Sequence, residues 1–175
     1  IMAEMMGEKE IANEYLSEAK AMAAKWESMA NDGDHYKLTF DQAGTWSQKY
    51  NLIWDKLFAS TIFASDIATK EMSYYRTKQN KYGLPLDSRK TYTKSDWILW
   101  SACLTDNPDD FKELLVPVYN YANETTTRMP LSDWHETTDG SSVGFRARSV
   151  VGGYFMKMLE NKMKAVKTTT AGKND

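Results

Sequence analysis

The chain has 175 residues, 42% of them hydrophobic and 26% charged, which is the composition of one globular domain and excludes a disordered chain. Twenty-two basic against 24 acidic residues leave a net charge of −2, so there is no polyanion-binding signature and nucleic acid is excluded as a first partner. No apolar run approaches the ~20 residues a bilayer span needs, so no membrane partner is expected either.

The chain opens Ile1-Met2-Ala3, already within a helical pattern and without a secretory leader, and reads as a fragment of a longer protein. The first predicted helix runs from about Glu4 to Ala30. Met5, Ile11, Tyr15, Leu16, Ala19, Met22, Ala23, Trp26 and Met29 recur along it at helical spacing and should face a core. Asn31-Asp32-Gly33 stops it, with Gly33 suited to a left-handed cap. Tyr36 to Phe40 alternates and suggests a short extended piece.

A second helix is expected from Thr45 to Ala59, with Trp46, Tyr50, Ile53, Trp54 and Leu57 on its stripe. A third is expected from Ser65 to Tyr82, ended by Gly83 and Pro85. The fourth should start at Thr93, where Thr93-Lys94-Ser95-Asp96 has the form of a capping box and Asp96 would reach back to the cap amide. Trp97, Trp100, Cys103 and Leu104 follow at helical spacing; core packing is the reading for Trp54 and Trp100, and burial for the lone Cys103.

Asn107 caps the fifth helix, with Pro108 in its first position and Pro117 expected to kink it. The sixth is expected from Phe145 to Val166, interrupted by Gly152-Gly153, where a neighbour should approach closely. The helical domain thus covers residues 1–166, and a polar tail 167–175.

The connections after the second and fourth helices are short. Those after the first, third and fifth are long: Asn31 to Gly44, Gly83 to Tyr92 and Asn123 to Gly144. In up-and-down helices alternate turns lie at opposite ends, so the three long turns should share one end and carry the function. They hold Asp41, Asp87 and Asp133, candidates for acid, base or substrate-polarising roles, although an Asp in a turn often serves only the turn. Arg89 is a candidate for a substrate carboxylate. Trp46, Trp97 and Trp134 are candidates for a pocket wall.

Arg146 and Arg148 would open the sixth helix, where a cation is disfavoured, which points to a carboxylate partner. His135 is a candidate proton shuttle or, more simply, a solvent-facing turn residue, and His35 has no partner evident in sequence. Neither stands at metal-ligand spacing, so no metal and no cofactor are expected. Ser17-Glu18-Ala19-Lys20 matches the S-x-x-K pattern of serine acyl enzymes but sits mid-helix without its companion motifs.

Six stretches carry a family resemblance. They are Leu38 to Gln42, Gly44 to Asn51, Gly83 to Arg89 (Gly-Leu-Pro-Leu-Asp-Ser-Arg), Thr91 to Trp97, Pro130 to Trp134, and Gly144 to Gly153. Together they resemble the six-helical-hairpin domain of the glutaminase A-like family of fungi and Bacteroides-type bacteria. The repeated helix pairs by themselves suggest an all-α fold, an α/α toroid or a solenoid, and three pairs would be about half of a six-hairpin toroid. The resemblance implies a secreted or periplasmic parent with β-rich domains before the helical one, and hydrolysis of the glutamine side-chain amide to glutamate and ammonia. It transfers no catalytic residue to a position here. A glycan-acting module on the same architecture, and a non-catalytic scaffold, stay open as alternatives. The expected partners are a small-molecule or glycan substrate and the other domains of the parent, and the isolated fragment is expected to be inactive.

Overall fold

A computed structural model describes residues 1–127, 132–146 and 150–171, the last six by backbone alone. Its helices are α1 (Met2–Met5), α2 (Lys9–Ala30), α3 (Ile53–Phe58), α4 (Ile67–Arg76), α5 (Ser95–Ser101), α6 (Pro108–Glu124) and α7 (Met156–Ala171). Single 3-10 turns, Tyr50–Leu52 and Gly152–Phe155, lead into α3 and α7. The chain is predominantly helical, with one small sheet. Strand β1 (Tyr92–Lys94) pairs antiparallel with β2 (Trp134–Glu136), in a register that sets Thr93 opposite His135.

The expected first helix is broken in two at Gly7, whose φ of +83° only glycine adopts at no steric cost. The second begins eight residues later than its stripe suggested, because Trp46 and Gln48 bond to another connector instead. The expected strand at Tyr36–Phe40 is reduced to one bridge between Asn31 and Tyr36. The expected third helix shortens to α4, ending at Arg76.

Thr93 to Asp96 forms no capping box. Thr93 is a buried strand residue, Lys94 is the cap of α5, and no side chain bonds there. The cap of α6 is as expected, Asn107 accepting from the Asp109 amide at 2.9 Å, and the helix continues through Pro117. The expected sixth helix starts at the Gly152–Gly153 turn rather than at Phe145, and its backbone stays helical to Ala171, into the segment expected as a tail.

The core gathers Ile53, Leu57, Met72, Tyr75, Leu84, Ile98, Cys103, Leu114, Val118 and Met156. Helix α5 is its hub and touches the 3-10 turns, α6 and α7. Burial raises the Cys103 thiol to about 11, so it stays protonated and inert. Glu160 of α7 is buried among Lys56, Lys157 and Lys164 at 2.8, 2.7 and 2.9 Å. Burial pushes its carboxyl up, but the three ammonium groups outweigh that and hold it ionised. Lys56 also donates to the Cys103 and Thr105 carbonyls at 2.6 and 3.0 Å, so one cluster ties α7 to α3 and to the end of α5.

The apolar face of α2 behaves otherwise. Ala23 and Ala30 are buried, but Tyr15 and Met22 are 62% and 60% exposed, and Ile11, Leu16 and Met29 also face solvent. The periodicity is as expected, whereas the burial is not, because nothing among the described residues covers the first half of that helix.

Candidate functional site

The three long connectors are stitched together by backbone hydrogen bonds. Gln48 N donates to Leu86 O and Ser88 N to Trp46 O, both at 2.9 Å, joining the first connector to the second. Strands β1 and β2 join the second to the third, extended by Ser95 N to Asp133 O at 2.7 Å and Thr137 N to Thr91 O at 3.2 Å. The buried Gln48 amide locks this junction. It donates to the Leu84 and Pro85 carbonyls at 3.1 and 3.0 Å and accepts from Ser101 Oγ at 3.2 Å. Nothing local in the sequence marks Gln48, since every partner lies at least 36 residues away.

Asp41 stands on an exposed turn and lines neither of the two clefts described below. Asp87 is buried, and its carboxylate accepts from Arg89 Nε at 3.0 Å and Nη2 at 2.7 Å. The bidentate partner expected of a substrate is therefore supplied within the same turn. That pair lies between an open cleft of about 730 Å³ under α2, walled by Trp26, Tyr50, Phe63 and Trp97, and a smaller one of about 440 Å³ beside Trp46. Trp46 itself is buried edge-on against Tyr74 and belongs to the core more than to a wall.

Asp133 is fully buried, directly before β2. Beside it lies Asp96, 2% exposed, in the first turn of α5. Burial first, and the negative charge of Asp133 second, push the Asp96 carboxyl up to about 6, and its Oδ1 has no hydrogen-bond partner among the described residues. Lys94, only 14% exposed, places its ammonium 3.9 Å from Asp133 Oδ2. The same ammonium stands 4.7 Å from the Trp97 ring centre and 5.4 Å from that of Trp134. Trp97 stacks on Tyr50 at 4.1 Å, and Tyr154 donates to Ser95 Oγ at 2.7 Å.

Two glycines allow this assembly. A Cβ on Gly153 would lie 2.1 Å from the Asp96 carbonyl oxygen, so the 3-10 turn closes directly on α5, as the close approach expected at Gly152-Gly153. A Cβ on Gly144, at φ +66°, would lie 2.2 Å from the Trp134 ring.

Of the expected residues, Asp133, Trp97 and Trp134 therefore meet in one cluster, Asp87 and Arg89 pair at the neighbouring cleft, and Asp41 stands apart from both. Arg146 is exposed and precedes the helix instead of opening it, which removes the electrostatic argument for its partner. Arg148, Pro130 and Leu131 lie outside the described residues.

His135 is neither solvent-facing nor a shuttle. It is buried, stacks on Tyr121 at 3.6 Å and bonds the Tyr82 carbonyl through Nε2 at 2.8 Å, and burial lowers it to about 4. His35 does have partners, with Nδ1 2.7 Å from Asp34 and the ring stacked on Tyr74 at 4.1 Å. Trp54 lies at the surface, 36% exposed, edge-on to Trp100. Among the described residues no group of His, Cys, Asp and Glu side chains could hold a metal ion, and no helix is long and apolar enough to cross a membrane.

Comparison with known proteins adds the family. The glutaminase A six helical-hairpin domain matches residues 1–158. A probable glutaminase of Arthroderma benhamiae is 34% identical over 163 residues, covering 75% of this chain and 19% of that one. Glutaminase A of Aspergillus oryzae is 29% identical over 168 residues, covering 91% and 24%. Gas vesicle protein L1 of Halobacterium salinarum is 30% identical over 115 residues, covering 63% and 41%. The chain thus spans about a fifth to a quarter of the length of the two glutaminase relatives. No solved structure matches it.

Proposed function

Since the chain belongs to the glutaminase A six helical-hairpin family, we propose that it is part of a hydrolase that converts the glutamine side-chain amide to glutamate and ammonia. We place the reaction at the Lys94–Asp133 cluster. One observation carries that placement: a carboxylate buried beside an ammonium and two tryptophan rings, at the junction of the long connectors. Amide hydrolysis needs a base to activate water and an acid for the leaving nitrogen, and buried titratable groups clustered beside aromatic faces are candidates for both roles.

The helices would form part of an α/α toroid in a secreted or periplasmic parent. The 175 residues alone should therefore release no ammonia, while the longer protein releases it from glutamine at a rate proportional to enzyme. An enzyme-linked ammonia assay on both forms checks this. Turnover by the short chain, or none by the long one, would overturn the reading.

One observation favours a second reading, a glycan-acting module. Trp97 and Trp134 are both partly exposed, and sugar rings stack on such faces beside paired carboxylates. Release of reducing sugar from a glycan, with no ammonia from glutamine, would select it.

A further inference from the structure

Two buried aspartates converge on one place although neither local sequence pattern requires it. Asp133 lies within the third long connector, directly before β2, and Asp96 sits in the first turn of α5. The Ser95 N to Asp133 O bond at 2.7 Å holds the two segments side by side. An aspartate placed for structure would use both oxygens on backbone amides, as Asp55 does by accepting from Ile62 and Phe63 at 3.0 and 3.3 Å. Asp96 instead keeps Oδ1 without a hydrogen-bond partner among the described residues, at 2% exposure. Burying such an oxygen costs free energy, which the backbone amides of Trp97 and Asp96 and the charge of Lys94 offset only in part, since the carboxyl still stands at about 6.

We infer that Asp96 and Asp133 work as a pair, Asp96 as the acid and Asp133 as the base of the hydrolysis, with Lys94 positioning and charging the base. The assignment rests on the hydrolase reading above. The environments of the two carboxyls differ in the required direction. Asp133 has the Lys94 ammonium at 3.9 Å, whereas Asp96 has no cation that close among the described residues, and burial and the charge of Asp133 favour its protonated form. Among the described residues, other titratable groups around them include Tyr50 from the first 3-10 turn, Tyr154 from the second, Tyr121 from α6 and His135 from β2. All four are neutral at pH 7: the three phenols are raised by burial and the imidazole is lowered by it.

In the first step water adds to the amide carbon, forming a C–O bond, and one water proton passes to the Asp133 carboxylate. The carbonyl electron pair moves onto oxygen. In the second step that pair re-forms the C=O bond and the C–N bond breaks, while the nitrogen takes the Asp96 proton and leaves as ammonia. The new carboxylic acid returns its proton to Asp96. Asp133 passes its proton to ammonia, giving ammonium.

The test has two independent readouts. In the 175-residue chain, carbon-detected NMR follows the Asp96 carboxyl against pH. The expected midpoint is about 6, falling in Asp133→Asn as the neighbouring charge is removed. A midpoint in the ordinary aspartate range, or one that Asp133→Asn leaves unmoved, would overturn the pairing. In the longer protein, Asp96→Asn should lower kcat for glutamine at least 100-fold with little change in KM. Lys94→Met should move the acidic limb of the pH–rate profile upward, which a merely structural lysine would not do.

Retention of more than half the activity by folded Asp96→Asn would overturn the acid role. If that variant does not fold, the Lys94→Met profile decides, and an unshifted limb counts against the pair. A wild-type protein that releases no ammonia sinks the glutaminase reading, while the NMR titration still decides the pairing.

Discussion

At the scale of single residues, Asp96 and His135 make opposite demands on pH. Asp96 is held above its unfolded value of 3.8, at about 6, so its contribution is fully present below pH 4 and is lost as pH rises to 6. His135 is held below 6.5, at about 4, so its contribution is fully present above pH 6.5 and is lost as pH falls to 4. Each shift corresponds to on the order of 3 kcal/mol. Asp96→Asn is therefore expected to raise the melting temperature at pH 8 by several degrees and to leave it unchanged at pH 4. Thermal melts of both proteins across that range check the sign. A gain at pH 8 with a loss of turnover would mark Asp96 as a residue kept at the expense of stability. Neither environment was legible in sequence. Asp96 fits a capping box by spacing alone, and what removes it from that role is Thr93 pairing with His135, 42 positions along the chain. The inward side chain of His135 follows from the same strand, which alternates half-buried Trp134, buried His135 and half-buried Glu136.

Elements were legible where their signals are local. The Asn107 cap and Pro108 fixed the start of α6, whereas Gly83 and Pro85 did not mark the end of α4, which stops at Arg76. The elements that failed are those whose backbone partners are distant. Residues 45–49 open the stretch expected as the second helix yet are not helical, because Gln48 and Trp46 bond to the 86–88 segment. At this scale Gly153 is the position to perturb. A methyl there meets the Asp96 backbone, which cannot swing aside as a side chain can. Gly153→Ala should cost about 1–3 kcal/mol of stability, more than the gain of about 0.4–1 kcal/mol from a stiffer unfolded chain. Denaturant unfolding measures the difference. If the 3-10 turn and α5 shape the cluster together, the same variant should move the Asp96 titration.

Over the whole molecule, the division into helices and long connectors was readable from periodicity and turn residues, and the convergence of the connectors followed from it. Which faces are covered was not readable, because hydrophobic spacing reports a face and not its neighbour. Leu16→Gln and Met22→Gln should accordingly change the stability of this chain by less than about 0.5 kcal/mol, as for ordinary surface positions. A core role for either residue would show as a loss of about 2 kcal/mol or more. Ala23, Trp26 and Ala30, by contrast, tie the last two turns of α2 to Tyr36 and Phe63. The cooperatively melting body of the chain thus begins near Ala23 and not at Ile1. The turns before it should accordingly exchange their amide protons by local opening, uncoupled from the unfolding of the rest of the molecule.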